Sequence, residues 1–258
     1  MKLGPVTLVW LAAALSLACS SSTAPEGSAP VQISFVEAGS VTPLATASEP
    51  NPAPASGPDG VTVESGGILL EVTLIKMTLE DIDLERTGQS VDCSGAGSGD
   101  FLDCSDYFAG PLLVQLDLTG SGQVTPLTVN APVGTFDLVS FDISVPDGGD
   151  PAQVTYLEAN PDMTDVSIRI EGNYDGTDFS FALDLRGDQE LSIVPPLVVT
   201  ESNTGFTITL ALDIASWFFR PDGSLIDPST ICSVAVGCTD RSTIEQNIER
   251  SIQAYSDL

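Results

Sequence analysis

Apolar and polar residues alternate along most of the chain with the two-residue period of strands that bury one face. Leu70, Val72 and Leu74 share one phase, which shifts to Ile75, Met77 and Leu79 and again to Ile82 and Leu84. A single inserted residue, a β-bulge, produces such a shift. Leu112, Val114, Leu116 and Leu118 alternate with Gln115 and Asp117. Phe136 and Leu138 open a run that shifts to Val139, Phe141, Ile143 and Val145. Val166, Ile168 and Ile170 precede the turn pair Asp175-Gly176, and Phe179, Phe181, Leu183 and Leu185 follow it, which predicts a hairpin of 164–172 with 177–186. The cleanest alternation is Phe206, Ile208, Leu210, Leu212 and Ile214, and VQISFVE at 31–37 has the composition of a first strand. Pro195-Pro196 cannot donate to a ladder and belongs at an edge or a bend.

One helix is predicted, over 242–256. Ser242 and Glu245 form a capping box, Ile244, Ile248 and Ile252 recur every fourth residue, Tyr255 extends the stripe, and Arg250 suits the negative end of the helix dipole. Strands with one apolar face, joined by short turns, predict an all-β fold: an antiparallel β-sandwich, immunoglobulin- or transthyretin-like, with this single C-terminal helix against it. The run Trp217, Phe218 and Phe219 reads as core in that frame rather than as an aromatic platform for a sugar.

The first sixty residues depart from this pattern. Lys2 is the only charge before Glu26, and residues 3–18 are apolar or small apart from Thr7 and Ser16. The run is too short for a stable membrane span and has the form of a cleaved signal peptide. It ends in LVWLAAALSLAC, with the small Ala18 before Cys19. Ser, Pro and Gly dominate 20–30, and ATASEPNPAPASGPDG at 45–60 continues that composition. The expected division is therefore a signal peptide at 1–18, an anchor and tether at 19–60 with a strand at 31–37, and a folded body at 61–258.

Five cysteines stand at 19, 93, 104, 232 and 238. With Cys19 set apart, four remain, and four allow three pairings. The loop-like stretches inside each close pair favour Cys93 with Cys104 and Cys232 with Cys238, as disulfides of an oxidising compartment. The chain has no histidine, and the spacings lack the close CxxC form of a zinc site.

Charge narrows the partners. The chain holds 8 basic and 36 acidic residues; removing 1–18 takes away Lys2 and leaves a formal charge of −29. Such a surface repels nucleic-acid phosphates and anionic headgroups, so no nucleic-acid partner is expected and membrane attachment falls to the N-terminus. Without histidine there is no Ser-His-Asp or Cys-His centre, and no GxSxG, P-loop or GxGxxG motif occurs. The chain is accordingly expected not to be an enzyme, and no cofactor is expected. The one ligand chemistry offered is that of glycine-flanked aspartates: Asp147 and Asp150, Asp175 and Asp178, and Asp222 and Asp227. Calcium takes several oxygen ligands from flexible loops, which makes it the candidate ion; Asp and Gly equally serve turns, and none of the spacings is that of an EF-hand.

The first 25 residues, through Cys19 and the following SSSTAPE, resemble the precursors of bacterial lipoproteins. The resemblance implies a diacylglyceryl thioether on Cys19. Ser20, in place of an aspartate, is similar to the sorting signal of Gram-negative outer-membrane cargo, on the periplasmic or the cell-surface face. The segment 111–145, with VGTFDLVSFDI, resembles a β-rich lipoprotein domain of unknown function. From DMTDVSIRIEGNYDGTDFSF to SIQAYSDL the chain is similar to lipoproteins of environmental Gram-negative bacteria. A weaker likeness is to lipoprotein-derived fimbrial subunits. These resemblances imply a lipid-anchored binding or scaffolding module with a protein or glycan ligand; a pilus-type subunit and a calcium-dependent glycan binder are the alternatives.

Overall fold

The computed structural model describes residues 28–38, 56–57, 60–86, 110–119, 127–200, 205–231 and 239–256. Cys19 and Cys93, Cys104, Cys232 and Cys238 lie outside these residues, as does the predicted signal peptide.

The described chain is mostly strand, as the alternation predicts. The strands are β1 (Ser28–Glu37), β2 (Ser56–Gly57), β3 (Gly60–Ser65), β4 (Ile68–Glu85), β5 (Leu112–Asp117), β6 (Leu127–Pro132), β7 (Gly134–Ile143), β8 (Ile168–Tyr174), β9 (Thr177–Leu183), β10 (Gly187–Val199), β11 (Phe206–Leu212) and β12 (Ile252–Ser256). Two helices accompany them, α1 (Pro151–Ala159) and α2 (Thr239–Ser251).

The strands form one curled, half-barrel sheet of mixed direction, in the order β2-β3-β4-β7-β10-β12-β11-β1-β6, with β5 and β8 also paired to β4 and β9 to β8. The expected antiparallel sandwich is corrected in two respects. β1 runs parallel to β11 and β10 parallel to β12, and β10 joins the two parts of the sheet by pairing with β7 on one side and, at Ile193↔Ala254, with β12 on the other. Alternation fixes which face of a strand is buried; it carries no information about the direction of the neighbour.

β4 shows how the pattern becomes shape. Its register on β8 slips between Val72 and Leu74, and its register on β7 between Glu80 and Asp83. They correspond to the two phase shifts read from the sequence, except that the first falls at Thr73, so that Leu74 leaves the buried face. Asp81, at φ 49°, carries the second in the left-handed region. The bulges keep Leu70, Val72, Ile75, Met77, Leu79, Ile82 and Leu84 all buried along one 18-residue strand. The β8–β9 hairpin turns through Asp175 (φ 49°) and Gly176 (φ 83°), a two-residue turn matched to strand twist. Pro195-Pro196 falls where β10 slips on β7, between Ser192 and Leu197.

β1 lies inside the sheet, between β11 and β6, with Val31, Ile33 and Phe35 buried, so the folded part extends upstream of Val61. The core is a single apolar cluster running under both parts of the sheet. After β11 a 3-10 turn at Ile214–Phe218 drives Trp217 and Phe218 into it; both are fully buried, and Phe218 meets Phe181 edge-on at 6.0 Å. α2 closes over this turn with Ile244 and Ile248.

Two helix expectations are also corrected. The C-terminal helix spans Thr239–Ser251, and 252–256 is β12. Ile252 fits the four-residue stripe, but Ile252, Ala254 and Ser256 also fit a two-residue period, and antiparallel pairing with Leu212, Leu210 and Ile208 decides between them. The additional helix, α1, has Asp150 as N-cap, accepting from the amides of Ala152 (2.7 Å) and Gln153 (2.9 Å), and Pro151 in its first turn. Only Tyr156 of α1 is buried, so no apolar stripe marks it in the sequence.

Candidate functional site

The bulge at Thr73 shapes a groove. Val72 faces Gly172 and Leu74 faces Glu171, which leaves Thr73 unopposed, and its Oγ1 donates to the Glu171 carbonyl at 3.2 Å. β4 approaches β8 so closely here that a Cβ on Gly172 would stand 2.0 Å from the Glu71 carbonyl oxygen and 2.9 Å from the Phe179 ring. Across the groove Asn173 Nδ2 donates to Asp178 at 2.8 Å, and Asn173 Oδ1 accepts from the Gly176 amide at 2.8 Å, locking the hairpin end. The result is an open hollow of about 410 Å³ lined by Glu71, Thr73, Glu171, Gly172, Asn173, Asp178 and Phe179. Carboxylate acceptors, an amide and a phenyl edge suit a hydroxyl-rich or cationic group.

A second acidic feature lies across three neighbouring strands. Glu80 of β4 pairs with Asp142 of β7, and Asp142 with Asp188 of β10, in one cross-strand row. Burial raises the Asp142 carboxyl to about 6, with the Asp188 charge and hydrogen bond, then Asp81 and Glu80, adding to it. α1 lies against this row: Gln153 Nε2 donates to Glu80 at 3.2 Å, and the Tyr156 hydroxyl is hydrogen-bonded to Thr78 Oγ1 at 2.6 Å. Beyond α1, Lys76 holds Asp162 at 2.7 Å, which keeps that carboxyl below its usual range, and Arg169 Nη2 donates to the Asp162 carbonyl at 2.7 Å.

The row has a consequence for pH. A folded-state value near 6 against 3.8 unfolded means that the folded state binds the extra proton between those values, so stability falls as pH rises through the window. Asp142→Asn is therefore expected to raise the melting temperature at pH 8 by more than at pH 4.5. Equal gains at both values would show that Asp142 titrates normally.

Three further cations are engaged in the same structural way. Arg220 grips Asp240 through Nε and Nη2, both at 2.9 Å, and donates to the Leu225 carbonyl at 2.8 Å. Arg241 joins Glu245, one turn on, to Asp184 after β9. Arg86 stacks on Phe136 at 5.2 Å.

The chain matches no known protein family, no curated protein and no solved structure.

The six aspartates singled out in the sequence are placed as turn and cap groups. Asp147 accepts from the Gly149 amide, Asp150 caps α1, Asp175 forms the hairpin turn, and Asp178 lines the groove. Asp222 accepts from the amide and hydroxyl of Ser224, which lower its pKa, and Asp227 accepts hydrogen bonds from the amide and hydroxyl of Ser229. Among the described residues, no three Asp, Glu, Cys or His side chains come together as a metal site. The residues that sequence reasoning did not single out are Glu71, Glu171, Glu80, Asp142 and Asp188. Glu71, Glu171, Glu80 and Asp142 occupy outward phases that the alternation shows, whereas Asp188 lies on β10, a strand the alternation does not reveal; which strands stand beside one another, and in what register, it shows for none of them.

Proposed function

We propose that the chain is a non-enzymatic lipoprotein of the Gram-negative outer membrane, held by acyl chains on Cys19, whose body binds or scaffolds a protein or glycan partner. The groove between β4, β8 and β9 carries the binding part of this reading: it sets carboxylates, an amide and an aromatic edge around one hollow, the lining that sugar hydroxyls or a cationic side chain would use. The sequence LVWLAAALSLAC supports the anchor. Several acyl chains, each CH₂ contributing about 0.8 kcal/mol on burial, would outweigh the repulsion of an acidic body from anionic headgroups.

Intact-mass analysis of the mature protein tests the anchor. The expected species begins at Cys19 with diacylglyceryl and fatty-acyl mass added, and Cys19→Ala is expected to abolish labelling by a fatty-acid analogue and to release the body into the soluble fraction. A mature N-terminus elsewhere, without acyl mass, sinks the reading.

A pilus-type subunit is the second reading, and the position of β1 favours it. A strand that follows the tether directly, and is buried between β11 and β6, would open an apolar slot if it were removed. Arg86 is the first arginine and stands at the end of β4, so no arginine precedes the folded part as a cleavage point. A monomeric mature protein that retains β1 supports the binding module; a polymer lacking it supports the subunit.

A further inference from the structure

We infer that the end of the sheet carrying Val133, Val194 and Val198 rests against the bilayer and orients the acidic body away from it. The inference builds on the lipid anchor proposed above.

Among the described residues the exposed large hydrophobics are Leu69, Val133, Val154, Val194 and Val198. Three of the five gather toward one end of the sheet. Val133 is the corner between β6 and β7, Val198 lies opposite Thr135 near the start of β7, and Val194 precedes the bend at Pro195-Pro196. They are 41%, 50% and 60% exposed, so each leaves much of its apolar surface in water. Exposed apolar surface collected in one region marks a place of contact.

The chain itself indicates what the contact is. β1 begins at this end, with Ser28 opposite Pro132. Cys19 stands nine residues before Ser28, a reach of at most about 32 Å even when fully extended. An acylated Cys19 therefore attaches the body to the membrane through this end. Arg86 is here as well: its Nη2 donates to the Val133 carbonyl at 3.2 Å, and the guanidinium lies against Gly134. A cation beside apolar side chains suits the headgroup boundary.

Part of the charge points the same way, although Glu85 and Asp137 lie nearer Val133. The row Glu80–Asp142–Asp188 and the aspartates 147 and 150 lie at or beyond the opposite end of β7, where that strand reaches Ile143. With Val133 toward the lipid, these carboxylates are carried away from anionic headgroups, and the proposed groove, whose residues Glu71 and Thr73 precede the part of β4 that pairs with β7, faces outward.

Tryptophan substitutions in the full mature protein, reconstituted through its own anchor into phosphatidylethanolamine vesicles with or without brominated acyl chains, test this. The native Trp217 is fully buried and gives the background. Val133→Trp and Val198→Trp are expected to lose fluorescence about twofold in brominated vesicles, as groups at the headgroup–acyl boundary do. Val154→Trp, on α1, is expected to be unaffected. Both sites are exposed, so the variants should melt as the parent does, and each serves as a check on the other. Protein that floats with the vesicles but shows no quenching at 133 and 198 overturns the orientation and leaves the anchor standing. Protein that fails to float overturns both. Unquenched tryptophans together with a dimer in detergent would assign the patch to a second copy and overturn the lipid contact.

Discussion

Gly172→Ala is expected to destabilise the body by about 3 kcal/mol, the upper end of the range for overpacking a filled interior. The added methyl would stand 2.0 Å from the Glu71 carbonyl oxygen and 2.9 Å from the edge of Phe179. The oxygen belongs to the backbone of β4 and cannot swing aside as a long side chain would. Relief requires β4 and β8 to part at the Thr73 bulge, where the ladder is already interrupted between Val72 and Leu74. Denaturant unfolding provides the measurement: the midpoint should fall while the slope is kept, because the surface exposed on unfolding is unchanged. Gly205→Ala is the matched control, since a Cβ there meets nothing within 4 Å. An unchanged midpoint for Gly172→Ala would mean that the two strands do not approach as described, and the groove above them would lose its shape.

That close approach also marks where sequence reading stops. The bulges of β4 are legible, because each inserted residue must shift the apolar phase from Val72 to Ile75 and from Leu79 to Ile82 to keep one face buried. Asp175-Gly176 is legible because few dipeptides accept two left-handed residues. The partner of each strand is not. Nothing local in VQISFVE states that it runs parallel to Phe206–Leu212, a strand distant in the chain. The acidic row depends on the same long-range register, so Glu80, Asp142 and Asp188 look like three unrelated outward residues until β4, β7 and β10 are set side by side. Asp150 is the opposite case. Its N-cap signal, with Pro151 after it, is present in the sequence, but the neighbouring glycines serve a loop equally well. In 252–256, local period and tertiary pairing compete, and the open edge of β11 decides.

Trp217→Ala is expected to cost about 3–5 kcal/mol, as large aromatic truncations in a core do. Trp217 is more than volume. Its Nε1 donates to Ser251 Oγ at 2.7 Å, and Ser251 Oγ in turn donates to the Ile248 carbonyl at 2.8 Å, so the indole is tied to the last turn of α2. Asn247 Nδ2 lies within 3.2 Å of the carbonyls of Ser216, Trp217 and Phe219, binding the same helix to the same 3-10 turn. Trp217→Phe separates the contributions: it keeps an aromatic ring and removes the donor, and about 1 kcal/mol of its loss should be the hydrogen bond. A double-mutant cycle with Ser251→Ala isolates that coupling; no coupling would mean that the indole acts through packing alone. The effect should travel along the chain as well. β12 begins at Ile252, directly after Ser251, and pairs with both β11 and β10. Loosening α2 therefore frees the strand that links β10 to β11. Amide exchange in 252–256 is expected to rise together with that of α2 in Trp217→Ala. Protection that persists in β12 while α2 exchanges freely would show that the strand is held by its ladder and not by the helix before it.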